Sequence, residues 1–358
     1  MANHPRFGFG INPSSTAEVL AAVRETEILG FDRVGIWDSP ALHRESWVML
    51  GAAAGASTRI RLGPWVTNPL TRHPVVTASA IATLDDLAPG RAILAIGSGD
   101  SGVYQLGQRA APLAYLETYV RTVRRLLEDG AADWIGERLT LPWAHRNVPI
   151  WIAAHGERSL RLAARIADGV VVGLGISPQV IVGCLGVLDA AAAESGRSLA
   201  DLEVWFTAPW YVDPEPGAAR RDAAWHVASL AHHVARHGVA GKFVPPELAD
   251  GIVRLGRSYD LSTHGAPPVD QKDAYARLAR ELGILDALLD RFAFAGTPAQ
   301  VEAQVRRAIA AGAQNFDGAN DAAPGSVMDR PRAWARHILP RFAGDPPALV
   351  RTATEGPA

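Results

Sequence analysis

Short apolar runs alternate with longer amphipathic stretches along most of the chain. The runs at residues 7–11, 34–37, 60–62, 92–96, 150–154, 170–173, 204–208 and 315–318 have the length and bounding turn residues of strands. Strand and helix in series predict an α/β chain with a parallel sheet. Eight such units predict closure into a (β/α)8 TIM barrel. The rival is an open doubly wound sheet, but no Gly-x-Gly-x-x-Gly follows the first run, as a dinucleotide site of that kind requires. Helix punctuation agrees with the units. Ser15-Thr16-Ala17-Glu18 and Thr297-Pro298-Ala299-Gln300 read as capping boxes, and Gly30, Gly130 and Gly312 stand where helices should stop.

The rhythm breaks between Asp213 and Arg291, where helical stretches rich in Ala, Arg and His replace strands. Residues 213–290 therefore predict a helical insertion after strand 7, placed at the rim as a lid or substrate wall. Residues 1–343 then make a single barrel domain and 344–358 a loosely held tail. A chain of 358 residues suits a barrel of about 250 residues with insertions. With 48% hydrophobic and 20% charged residues, the chain is neither disordered nor fibrous, and a formal charge of -2 gives no reason to expect nucleic acid or an anionic membrane as partner. Cys184 is the single cysteine, which excludes an intramolecular disulfide and a cysteine-based zinc cluster. His4, Pro5 and Arg6 interrupt the opening too early for a signal peptide, and no run reaches the roughly 18 apolar residues of a spanning helix. The expectation is a cytoplasmic enzyme acting on a small molecule.

Candidate chemistry gathers where strands end. After strand 3, Leu62-Gly63-Pro64-Trp65-Val66-Thr67-Asn68-Pro69-Leu70-Thr71-Arg72-His73-Pro74 crowds turn formers and hydrogen-bonding groups into one loop, at the barrel end where ligands bind. Asp38 ends strand 2 and reads either as a rim carboxylate or as a helix N-cap, with His43 on the same loop. Gly97-Ser98-Gly99-Asp100-Ser101-Gly102 follows strand 4, and its glycines let backbone approach a planar ring. Ala153-Ala154-His155-Gly156-Glu157-Arg158-Ser159 turns from strand 5 into a helix, so free N–H groups there suit an anion. His226, His232, His233 and His237 lack the carboxylate pattern of a metal site and read as lining a lid, with one in reach of substrate; no metal is expected. Trp205, Trp210, Tyr211 and Trp225 read as either an apolar pocket or core.

The segments 62–74, 97–101 and 149–156, the helix 159–169 and the late Ala295-Gly296-Thr297-Pro298 resemble the bacterial luciferase-like oxidoreductases. Within them they resemble the branch that contains methylenetetrahydromethanopterin reductase and related enzymes using coenzyme F420. The resemblance implies a TIM barrel that passes a hydride between the deazaflavin ring of F420 and a small organic substrate. The alternatives it leaves are an FMN-dependent monooxygenase and a non-catalytic flavin-binding relative. It places Asp38, Trp65, Val66, Thr67, Ser98 and Gly99 on the cofactor ring, with a non-proline cis peptide at Trp65-Val66. It places His155, Gly156, Glu157 and Arg158 on the cofactor phosphate, with Gly175 and Ile176 on the other side. Asp100, with a pKa raised by desolvation, or His43 would supply a proton, and Asp38 would orient ring or substrate. Relatives often carry a histidine directly after that aspartate, where this chain has Ser39. The resemblance also implies a homodimer.

Overall fold

The computed structural model describes residues 4–264, 267–319 and 325–342; the tail expected at 344–358 lies outside the described residues. The barrel strands are β1 (Arg6–Ile11), β2 (Arg33–Ile36), β3 (Arg61–Pro64), β4 (Leu94–Ile96), β5 (Ile150–Ala154), β6 (Gly169–Val172), β7 (Glu203–Val212) and β8 (Asn315–Ala319). All pair in parallel, in the order β3-β2-β1-β8-β7-β6-β5-β4. Bridges Leu62 to Ala92 and Thr67 to Ile96 join the two ends, so the sheet closes between β3 and β4. All eight strand runs expected from the sequence are present in this barrel.

Side chains alternate between two faces, as strand geometry requires. Phe9, Val34, Leu62, Ile96, Ile152 and Val172 face outward into the core shared with the helices. The inward positions are less uniform. Gly8, Gly10 and Gly35 leave room on β1 and β2 that Arg33, Trp37, Trp65 and Trp205 occupy, and Gly63 on β3 leaves room for the Ile93 carbonyl. A Cβ at Gly35 would lie 2.4 Å from the Cβ of Trp65, and one at Gly8 would lie 2.9 Å from both Arg33 and Trp205. Arg33 and Asp317 form an ion pair with side chains 1% and 0% exposed. Burial drives the Arg33 guanidinium well below its ordinary pKa, with the Arg61 charge adding to the effect.

Local punctuation is mostly as expected. Thr297 and Gln300 make the reciprocal capping box, and Gly30, Gly130 and Gly312 take positive φ of 91°, 70° and 105°. Ser15 differs: it precedes the helix Thr16–Ile28 but its side chain makes no cap bond, and Ser14 Oγ instead donates to Glu18 at 3.3 Å. Two elements escaped the sequence reading. Ala131–Trp134 and Glu137–Thr140 form an antiparallel hairpin before β5, its turn made by Ile135 and Gly136 at positive φ. Phe294–Gly296 adds in parallel to the far end of β7.

After β7 come the helices Ala218–Ala223, Val227–Ala235, Pro246–Ser258, Val269–Glu281 and Leu285–Phe292. They enclose a core of their own, including Val227, Ala231, Val234, Ile252, Leu255 and Leu288. Helix Val227–Ala235 runs along the barrel mouth. Just before it, His226 Nδ1 lies 3.2 Å from the hydroxyl of Tyr211 at the end of β7. Its last turn carries His233 and Arg236 to Asp100, beyond β4. Among the described residues no helix is long and apolar enough to cross a membrane.

Candidate active site

The loops after β2 and β3 are tied by one carboxylate. Asp38 is no helix cap, because the next helix, Ser46–Ala56, is capped by Glu45 accepting from the Val48 N–H at 2.8 Å. Asp38 Oδ2 instead accepts from Thr67 Oγ1 at 2.6 Å and from Arg72 Nη1 at 2.8 Å. Arg72 also reaches Glu45, so it fastens both loops. Asp38 Oδ1 is buried and has no hydrogen-bond partner among the described residues. A buried acceptor without a donor carries a desolvation cost of roughly 1–3 kcal/mol, which a ligand N–H would relieve.

The Trp65-Val66 peptide bond is cis. The two readings of Trp65 divide between its parts: the backbone stands at the rim, while the ring lies over Arg33 at 3.3 Å and meets the Trp151 edge at 6.1 Å. Val66 packs beside it against the lumen cluster.

The loop after β4 needs its glycines. Gly99 has φ 104°, and a Cβ there would stand 2.8 Å from Val103; a Cβ at Gly102 would stand 2.4 Å from the Asp38 carbonyl oxygen. Ser39 and Ser101 share a hydrogen bond of 2.7 Å across the same contact. Asp100 departs from expectation. Burial alone would raise its pKa, but the His233 imidazole and the Arg236 guanidinium hold the carboxyl well below the usual range. Its oxygens lie 2.9 Å from His233 Nδ1 and 2.9 Å from Arg236. These two neighbours favour the ionised form of Asp100, opposite in direction to the raised pKa expected from the sequence.

His43 lies edge-on to Trp37 with ring centres 6.3 Å apart, and His264 stacks on Trp37 at 5.9 Å. His43 packs on Trp37, and the imidazole beside the Asp100 carboxylate is His233.

The expected anion cradle after β5 is partly occupied by protein. The Glu157 N–H donates to the Gly241 carbonyl at 3.0 Å, the Ile176 N–H to Arg291 O at 2.7 Å and the His155 N–H to Ser159 Oγ at 3.1 Å. Glu157 turns its carboxylate to Arg161 at 3.1 Å, whereas Arg158 stays exposed. Gly156 remains open, with Lys242 side-chain carbons as the nearest contact at 3.6 Å. Gly175 has φ 120° and leaves no room for a side chain, since a Cβ would lie 2.7 Å from Arg291 O. Lys242 Nζ donates to Val234 O at 2.7 Å, and burial together with Arg236 pushes its pKa down to about 8. Crowding by protein atoms, then the charges of His233 and Arg236, push the His155 imidazole down to about 3, although part of the ring faces open space.

His233, Arg236, Lys242 and His264 were not singled out individually for these positions. The available signal was helical phase: His226, His233 and Arg236 fall on one side of the helix, opposite Val227, Ala231 and Val234, which pack inward. The rim thus carries an acceptor in Asp38, the small residues Ser98 and Gly99 on the loop after β4, and the Gly156 turn after β5. That donor and acceptor set fits a planar, hydrogen-bonding cofactor with an anionic tail.

Comparison with known proteins agrees with this geometry. Residues 4–315 match the family described as luciferase-like monooxygenase. The chain is 30% identical over 300 residues to 5,10-methylenetetrahydromethanopterin reductase of Archaeoglobus fulgidus, covering 81% of this chain and 85% of that protein. It is 33% identical over 233 residues to F420-dependent glucose-6-phosphate dehydrogenase of Beutenbergia cavernae, covering 56% and 66%. Its fold is similar to that of coenzyme F420-dependent tetrahydromethanopterin reductase from Methanopyrus kandleri, with TM-score 0.74 and 22% identity over 95% of this chain and 100% of that one. The chain belongs to the luciferase-like monooxygenase family and is an enzyme of that family, built on its TIM barrel.

Proposed function

We propose that this protein is an F420-dependent oxidoreductase that passes a hydride between the deazaflavin ring and a small organic substrate. The observation that carries the reading is the buried Asp38 Oδ1 beside Thr67, to which no described residue donates and which suits a ring N–H. The names of the relatives add support, since F420 appears in the glucose-6-phosphate dehydrogenase and in a similarly folded secondary alcohol dehydrogenase with an F420-acetone adduct. When bound, F420 supplies or accepts the hydride. The chain's own part is positional. Arg72 and Thr67 hold Asp38 at the ring edge, Gly99 admits the ring, and the Gly156 turn faces the tail. The helix Val227–Ala235 walls the substrate side and limits water.

The test is a parallel fluorescence titration with F420 and FMN, on wild type and on Gly156→Asp, followed by a screen of ketones, alcohols, glucose 6-phosphate and methylenetetrahydromethanopterin. Tighter binding of F420 than of FMN, lost in the variant, is expected. Preference for FMN would move the reading to oxygen chemistry, and binding of neither would overturn it.

A further inference from the structure

Resting on that reading, we infer that His233, on the inserted helix, is the group that gives a proton to the substrate and takes it back. Asp100 lies 2.9 Å from both His233 Nδ1 and Arg236, and these neighbours hold its carboxyl well below the usual range. The proton must come from elsewhere. His233 is the imidazole that meets the Asp100 carboxylate. Its Nδ1 lies 2.9 Å from Asp100 Oδ2, and Arg236 Nη2 lies 3.1 Å from the same nitrogen while also meeting that carboxylate at 2.9 Å. The carboxylate is the nearer partner and can only accept, which favours a proton on Nδ1 directed at Asp100, while Arg236 donates to the same carboxylate. The opposite nitrogen, Nε2, has no hydrogen-bond partner among the described residues, and the side chain keeps 17% of its surface accessible.

The imidazole is ringed by groups from the rim loops and the insertion. His155, from the β5 turn, has its ring centre 5.9 Å from His233; His264, which stacks on Trp37 after β2, is also 5.9 Å away. His232 and Arg236 face it from its own helix and Asp100 from the β4 loop. The β4 loop, the β5 turn and the end of the insertion at His264 thus meet at one imidazole.

In the reducing direction the hydride joins the electrophilic carbon of a C=O or C=N group, whose π pair moves to the heteroatom. That atom takes the Nε2 proton, and His233 passes from imidazolium to neutral imidazole. Oxidation runs the same transfers backward. Asp100 is then a positioning residue, which holds the imidazolium through Nδ1 without losing or gaining a proton.

The experiment combines a footprint with kinetics. Diethyl pyrocarbonate labels wild type with and without saturating oxidised F420, read by peptide mass against the exposed His237. His233→Gln and His233→Ala are assayed with the substrate found in the screen. Protection of His233 by F420 is expected, with kcat lowered about 100-fold or more in both variants, F420 affinity kept within about twofold, and partial rescue of the alanine variant by imidazole. Equal labelling of His233 with and without bound F420, or an unchanged kcat in His233→Gln, would overturn the inference. Failure of wild type to bind F420 in the fluorescence titration would overturn the cofactor reading instead, and the same footprint with FMN would then decide His233.

Discussion

The guanidinium of Arg33 lies 3.3 Å from the centre of the Trp65 indole, inside the barrel and directly below the loop that carries Asp38's partner Thr67. Asp317 neutralises it on β8, with both side chains essentially sealed from solvent. A buried pair of this kind is costly to break, because one charge is left without its partner. Asp317→Asn is therefore expected to lose about 3–5 kcal/mol of stability in urea unfolding. A loss below about 1 kcal/mol would show that the lumen charge is relieved in some other way.

The same lumen predicts the effect of one methyl group. A Cβ at Gly35 would fall 2.4 Å from Trp65 Cβ, a contact that rotamer changes cannot relieve since neither atom moves with χ1. Gly35→Ala should cost about 1–3 kcal/mol and alter the near-ultraviolet circular dichroism of the tryptophans. Gly51→Ala, in the helix Ser46–Ala56 where a Cβ would meet nothing within 4 Å, is the contrasting control and should stabilise by about 0.5–1 kcal/mol. Equal behaviour of the two variants would sink the packing account.

Glu27 predicts a pH dependence. Burial opposes its charge, but N–H groups of Arg59, Ile60 and Thr58 and the Thr58 hydroxyl bring its pKa down to about 2 from an ordinary 4.5. Because the folded value lies below the unfolded one, the stabilisation is complete above about 4.5 and is lost as pH falls toward about 2. With solvent screening, Glu27→Gln should cost about 1–2 kcal/mol at pH 7 and progressively less in acid. Denaturation curves for the two proteins at pH 7 and near pH 3 measure this; a constant difference would contradict it.

Arg72 predicts a binding effect at a distance from the ligand. It fastens Asp38 at 2.8 Å, and its loss would leave the carboxylate held by Thr67 alone. Under the F420 reading, Arg72→Met should weaken F420 about tenfold, the equivalent of about 1.4 kcal/mol. Fluorescence titration reads the change, and undiminished affinity would remove Asp38 from the ring edge.

Much of the architecture was legible in order of residues because its causes are local. Each barrel strand is a short apolar run closed by turn formers, and Thr297 with Gln300 marks a helix start through bonds spanning three residues. The hairpin at 131–140 was less legible, since Ile135 and not Asn or Gly opens its turn at φ 50°. The inward glycines were ambiguous for a different reason. Gly8 and Gly35 read as weak strand formers until Arg33, Trp65 and Trp205 are seen in the space they leave.

The sequence by itself determined the repeating unit, the rim loops and the presence of Asp38 and Asp100 on them, because strand period and turn chemistry act between near neighbours. Only the tertiary structure decided which charges meet. Asp100 and Arg236 are separated by 136 residues along the chain, yet they bond at 2.9 Å. A carboxylate takes its protonation state from whatever the fold brings beside it, and no local pattern around Asp100 specifies that His233 and Arg236 will be its neighbours.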